Sequence, residues 1–164
     1  ITTTSDDFGR PTVMELCRDV HGRIYPVGRL DYDTRGLLLL SNDGEFANAI
    51  MHPSKKLKKT YLVWVKGMIT PEAIRKLRSG VDIGDYITRP AEAELISATE
   101  RESNIKVVIG EGKKRQVRRM CEAVGYPVNH LKRVEIGGVM LGNLPEGKWR
   151  NLKKAEIEIL MKSR

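Results

Sequence analysis

Apolar positions along this chain change their spacing several times, and each change marks an element. Residues 1–4 are rich in β-branched side chains and read as a strand, closed by a turn at Asp6, Asp7 and Gly9. Val13, Leu16, Cys17 and Val20 then recur at helical spacing, with Thr12 and Glu15 as a capping box before them and Gly22 as a stop. Val27 and Leu30, and after Gly36 the run Leu37-Leu38-Leu39-Leu40, suit short buried strands. Asn42-Asp43-Gly44 signals a turn into a short helix carrying Phe46, Ala47, Ile50 and Met51. Residues 60–65 form a strand by composition and length, and Thr70-Pro71-Glu72 opens a helix that Gly80 ends. Strands are expected near 81–83, 87–89, 92–98 and 105–109. Val117, Met120, Cys121 and Val124 predict an amphipathic helix beginning at Lys113 and ending at Gly125. Strands near 128–136 and 149–152 and a helix over 154–162 complete the chain. Strands and helices are mixed and often hairpin-like, with no repeat. The pattern predicts one α+β domain over 1–164, a mainly antiparallel mixed sheet flanked by helices.

Composition narrows the function. A chain of 164 residues can bury a core without covalent staples. Cys17 and Cys121 are far apart, each within an apolar pattern, and read as core thiols of a reducing compartment. No apolar run reaches the ~18 residues of a membrane span. The net charge of +8 favours a polyanionic partner, nucleic acid ahead of an anionic membrane. Aromatic residues make up 5%, too few for a broad platform that stacks single strands.

Charge is concentrated where the hydrophobic pattern breaks. Arg29, Asp31, Asp33 and Arg35 alternate between two apolar runs, so a strand pleat would send all four to one side, into a cleft. A charged surface turn is the plainer reading. A basic loop, with Lys55, Lys56, Lys58 and Lys59, leads into the strand at 60–65. Lys113, Lys114 and Arg115 crowd the start of the amphipathic helix expected from Lys113, where each cation opposes the helix dipole by about 0.3–1 kcal/mol. An anion bound there would reverse that penalty. Helical spacing turns Arg115 and Arg119 away from the apolar stripe and places Arg118 at its edge, aimed inward. A buried Arg needs a carboxylate, and Asp31 and Asp33 are both candidates. His21, His52 and His130 are scattered, without metal-ligand spacing.

Gly28-Arg29-Leu30-Asp31, followed by Thr34-x-Gly36-Leu37-Leu38-x-Leu40 and Asn42-Asp43-Gly44, resembles the catalytic motif of pseudouridine synthases. Lys59-Thr60-Tyr61-Leu62-Val63 resembles that family's second motif, and Glu111-Gly112-Lys113-x-Arg115-Gln116-Val117-Arg118-Arg119-Met120 its third. The nearest branch by these motifs is the RsuA/RluB group, which modifies ribosomal RNA. Arg35 and Lys113 depart from the residues usual in relatives. The resemblance implies isomerisation of a uridine to pseudouridine in ribosomal RNA, 23S ahead of 16S, without metal or organic cofactor, by a cytoplasmic monomer away from membranes. It implies Asp31 as nucleophile, with Tyr61 and Arg118 as further catalytic residues. It leaves open whether Asp31 attacks sugar or base. Arg29, Lys55, Lys56, Lys59, Lys113, Lys114, Arg115, Gln116 and Arg119 are the expected RNA-binding set. A small S4-like RNA-binding domain is expected upstream. A salt bridge between Asp31 and Arg118 is expected, with Tyr61 facing the same cleft and Asp33→Asn a mild change. Two other readings remain open: a non-catalytic ribosomal-RNA-binding or assembly module, and a magnesium phosphatase, since Asp31-Tyr32-Asp33-Thr34 loosely resembles the nucleophile loop of haloacid-dehalogenase-type enzymes.

Overall fold

The structure, a computed structural model, describes residues 1–2, 12–20 and 22–162. Its frame is a six-stranded sheet. β4 (Lys59–Lys66) lies at the centre, paired antiparallel with β6 (Glu102–Ile109) on one side and β7 (Val128–Ile136) on the other. β5 (Glu92–Ala98) extends the sheet beyond β6, while β2 (Arg35–Gly36) and β8 (Val139–Met140) both pair with β7. The β2–β7 pairing is parallel and two residues long; the other pairings are antiparallel. β1 (Tyr25–Val27) and β3 (Leu39–Ser41) form a separate antiparallel ribbon. The α+β architecture with a mainly antiparallel sheet is thus the one the pattern predicts.

Alternation on the long strands sets the main core. Val63 and Val65 of β4 are fully buried, as are Ile105 and Val107 of β6. Helix α2 (Pro71–Ser79) packs Ala73, Ile74 and Leu77 onto this face, and α3 (Gln116–Ala123) adds Val117, Met120 and Cys121. Thr70 caps α2, its hydroxyl accepting from the Ala73 N–H at 3.2 Å. A second core joins Val27, Leu37 and Leu39 to α1 (Gly44–Met51), α4 (Lys154–Lys162) and the end of β7 through Ala47, Ile50, Ile136 and Leu160. Asp43 caps α1, its carboxylate accepting from the N–H groups of Glu45 and Phe46. Burial holds both thiols above their ordinary range, Cys121 at about 12.

Several local expectations are corrected. The helix expected from Thr12 is a short 3-10 segment, Val13–Cys17, and the Thr12 side chain makes no cap. Leu16 on it is 54% exposed, so no packing supports a longer helix. Of the strand expected at 1–4, Ile1 and Thr2 are outside any strand, and the rest, with the turn at Asp6 to Gly9, lies outside the described residues. The strands expected at 81–83 and 87–89 reduce to one bridge between Asp82 and Ile87, and 149–152 has no strand. α3 begins at Gln116, not Lys113.

Candidate active site

Residues 28–34 do not continue β1. They form a loop, so Arg29, Asp31, Asp33 and Arg35 do not share a pleat. Arg29 and Arg35 are exposed, and Asp31 and Asp33 are half-buried. The loop is closed on itself by the Thr34 N–H, which donates to the Asp31 carbonyl at 2.9 Å. It is braced at Leu30, whose N–H donates to the Thr2 hydroxyl at 3.1 Å while that hydroxyl donates to the Leu30 carbonyl at 3.2 Å.

The loop's far limb returns to the sheet at Gly36. A side chain there is impossible: a Cβ would stand 2.1 Å from the Arg133 carbonyl oxygen, and φ is +116°. Arg133 itself is 5% exposed. Its Nε donates to the Leu37 carbonyl at 2.9 Å and one terminal nitrogen to the Arg29 carbonyl at 3.4 Å, so one guanidinium ties both limbs of the loop. Sequence reasoning missed Arg133. Its signal was a cation at an inward position of β7, two residues after Leu131.

Asp33 makes the strongest contacts. Arg115 holds its carboxylate through two parallel hydrogen bonds of 2.9 and 2.8 Å. Arg118 donates to the Asp33 carbonyl at 2.6 Å, and its Nε lies 3.3 Å from the carboxylate, near enough for ionic attraction but not aligned as a hydrogen bond. The Arg115 hydrogen bonds lower the Asp33 pKa, against burial, which raises it. The expected Asp31–Arg118 pair is therefore corrected: Arg118 is buried and aimed inward as predicted, but its carboxylate is Asp33. Asp31 has no ion pair among the described residues. The structural cause is the loop, which turns Asp33 toward α3 where an extended strand would have sent both acids one way.

Arg115 and Arg119 are not the free outward cations that helical spacing predicts. Arg115 stands before α3 in the left-handed region (φ 52°, ψ 34°), which directs it to Asp33 and over the Tyr32 ring, 5.6 Å from its centroid. Arg119 pairs with Asp85 and donates to the Ile83 carbonyl at 3.1 Å. Gln116 is buried, accepting from the Lys113 N–H at 3.0 Å and donating to Glu111 at 2.9 Å. Burial works to raise the Glu111 pKa, but hydrogen bonds from Tyr86, the Arg89 N–H and Gln116 hold it lower. The Lys113 ammonium sits 4.4 Å from the Tyr86 ring centroid. Lys114 and Lys56 are exposed, and Lys55 donates to the Met161 carbonyl.

Tyr61 is half-buried on β4 and packs on the main core. It lies directly opposite Arg133, so the two share a sheet face. A groove bordered by Asp31, Tyr32 and Lys132 is not lined by Tyr61 or Arg118. Through the β4–β7 pairing Tyr61 stands beside Arg133, which ties the two limbs of the Asp31 loop. The ammonium of Lys59, on the same strand as Tyr61, has no hydrogen-bond acceptor among the described residues. Burial, then the nearby Arg133 charge, lowers its pKa. Among the described residues no three His, Cys, Asp or Glu side chains gather as metal ligands would.

The sequence profile of the RNA pseudouridylate synthase family matches residues 17–123, a span holding Asp31, Tyr61 and Arg118. The chain belongs to that family. It is 46% identical over 162 residues to the ribosomal large subunit pseudouridine synthase B of Bacillus subtilis (strain 168), covering 98% of this chain and 66% of that protein. Its identity to the protein of the same name from Vibrio cholerae is 40%, over 98% of this chain and 50% of the relative. A crystal structure of a pseudouridylate synthase superposes with a TM-score of 0.79 at 33% identity, covering 92% of this chain and 65% of that one. The chain therefore spans about two thirds or less of these relatives. A pseudouridine synthase fold with one short parallel pairing also differs from the βαβ parallel sheet that the phosphatase reading requires.

Proposed function

We propose that this chain isomerises a uridine of ribosomal RNA to pseudouridine, with large-subunit RNA as substrate and Asp31 as nucleophile. One observation carries the reading beyond family membership: of two acids on the loop, Asp33 is consumed by two arginines, while the half-buried Asp31 is left without an ion pair among the described residues. A carboxylate that is held by its backbone and free at its oxygens is suited to nucleophilic attack. The relatives' names support the ribosomal substrate.

In this reading the uridine leaves its stack to reach Asp31. Its N1–C1′ bond breaks, the uracil turns, and a C5–C1′ bond forms as C5 loses a proton and N1 gains one. Tyr61 offers a ring on which the base can rest and a hydroxyl for the proton transfer. Arg118 and Arg115 keep positive charge beside the reacting anion. Lys59, a partly buried ammonium without an acceptor among the described residues, takes an RNA phosphate as its counter-anion. Lys56, Lys113 and Lys114 contact the phosphate backbone around it, and Arg29, at the entrance to the loop, contacts the flanking RNA. No step calls on a metal or an organic cofactor.

The test is product formation on ribosomal RNA, mapped by nucleotide. Pseudouridine is expected with the wild-type protein, in EDTA as in magnesium once RNA folding is matched. Asp31→Asn keeps the shape and the RNA binding but makes no product. Normal turnover by Asp31→Asn sinks the nucleophile assignment. RNA binding without product from the wild type favours the non-catalytic module. Loss of activity in EDTA, restored by magnesium, favours metal chemistry.

A further inference from the structure

The two arginines of the third motif both converge on Asp33, which the resemblance to the family leaves without a role. Arg115 grips its carboxylate from a left-handed backbone conformation, one that a side-chain-bearing residue adopts only when its surroundings impose it. Arg118 holds its carbonyl at 2.6 Å. These bonds join the loop to α3 across more than eighty residues of sequence. Asp33 is two residues from Asp31, inside the turn that the Thr34 N–H closes onto the Asp31 carbonyl. Whatever fixes Asp33 also fixes the backbone of Asp31.

We propose that Asp33 is a positioning residue for the reaction: its carboxylate docks the Asp31 turn onto α3 and orients Arg115 and Arg118 toward the nucleophile. The proposal rests on the reading of Asp31 given above. The site has a division of labour between neighbours. Asp31 reacts, and Asp33 neutralises one of two converging positive charges and keeps both guanidiniums in place. Arg118 is anchored by the Asp33 backbone as well, so loss of the carboxylate frees Arg115 first and loosens Arg118 second. Asp33→Asn is thereby revised from a mild change to a severe one.

A displacement of about 1 Å at a reacting group costs on the order of 10²-fold in rate. Asp33→Asn and Asp33→Ala are therefore expected to lower kcat about 100-fold, while the Kd for the same RNA stays within about threefold. Arg115→Ala should add little to Asp33→Ala, because both break one contact. An activity-independent readout is amide hydrogen exchange: Thr34 and Leu37 should exchange faster in both variants, while the α2 amides keep wild-type protection. Asp31→Asn, run in parallel, separates the two ideas. If it is inactive while the Asp33 variants keep kcat within about threefold, the positioning role falls and the nucleophile stands. If Asp31→Asn turns over normally, the nucleophile reading falls. Unchanged exchange at Thr34 and Leu37 overturns the docking. Tighter RNA binding with intact kcat makes Asp33 a competitor of phosphate and overturns it too. A kcat loss that follows a global loss of protection marks a merely structural residue.

Discussion

Arg133 is a buried cation that meets no carboxylate among the described residues. Its hydrogen bonds go to carbonyl groups, so two effects oppose each other in any substitution. Arg133→Met removes a buried charge, which favours folding. It also leaves the Leu37 carbonyl, and more weakly the Arg29 carbonyl, without a donor, at about 1–3 kcal/mol for a buried polar group. The 2.9 Å bond to Leu37 decides the sign, because Leu37 is buried and its carbonyl loses that donor. Arg133→Met is expected to lose about 1–3 kcal/mol in urea unfolding, with an unchanged m-value, and to loosen the Asp31 loop. A variant as stable as the wild type would show that Arg133 is a tolerated charge and not a tie. The same residue shows where the sequence fails to speak. Asp31, Tyr61 and Arg118 stood out by motif and helical phase. Arg133 acts through partners 96 and 104 residues away and Asp33 through partners 82 and 85 residues away, and no local pattern encodes those partners.

Elements that were legible carry their signals locally. α1 and α2 have side-chain caps, β6 alternates cleanly and β4 does so from Leu62 to Val65, so their neighbours in sequence suffice. β2 and β8 are two residues long and exist because β7 offers them an edge, which only the folded chain reveals. α4 stands between these cases: its apolar residues predicted it, but its anchor is an ion pair. Glu156 receives two hydrogen bonds of 2.7 Å from Arg150 and one of 2.8 Å from the Lys153 N–H, the reciprocal half of a capping box. Arg150 first, and the Lys153 N–H second, hold the Glu156 pKa at about 2, where an unperturbed carboxyl has 4.5. A pKa depressed by folding stabilises the protein above the unfolded value and loses that contribution as pH falls through the folded one. Wild type should thus be more stable than Glu156→Gln at neutral pH, with the gap closing from about pH 4.5 down to about 2. Thermal melts across that range test it, and a gap independent of pH would assign Glu156 a role other than its charge.

At the scale of the molecule, the net charge of +8 favours a polyanionic partner but does not say which cations would meet it. The fold sorts them. Arg115 and Arg119 are already committed to Asp33 and Asp85, so they add little to counterion release unless RNA displaces an acid. Lys114, exposed beside the same helix start, has no side-chain partner among the described residues and is free to take a phosphate. Each phosphate contact contributes about 0.7–0.9 to the slope of log K against log salt. Lys114→Ala should lower that slope by about one and weaken binding to many RNAs alike. Arg119→Ala should leave the slope nearly unchanged, although helical phase alone turns Arg119 away from the apolar stripe, toward solvent or RNA. Binding measured from low to moderate salt on two unrelated RNA stems separates them. Equal slope losses would mean that RNA pulls Arg119 away from Asp85. A loss confined to one stem would make Lys114 a reader of bases, and the basic face would then be a recognition surface where the charge pattern now argues for a backbone track.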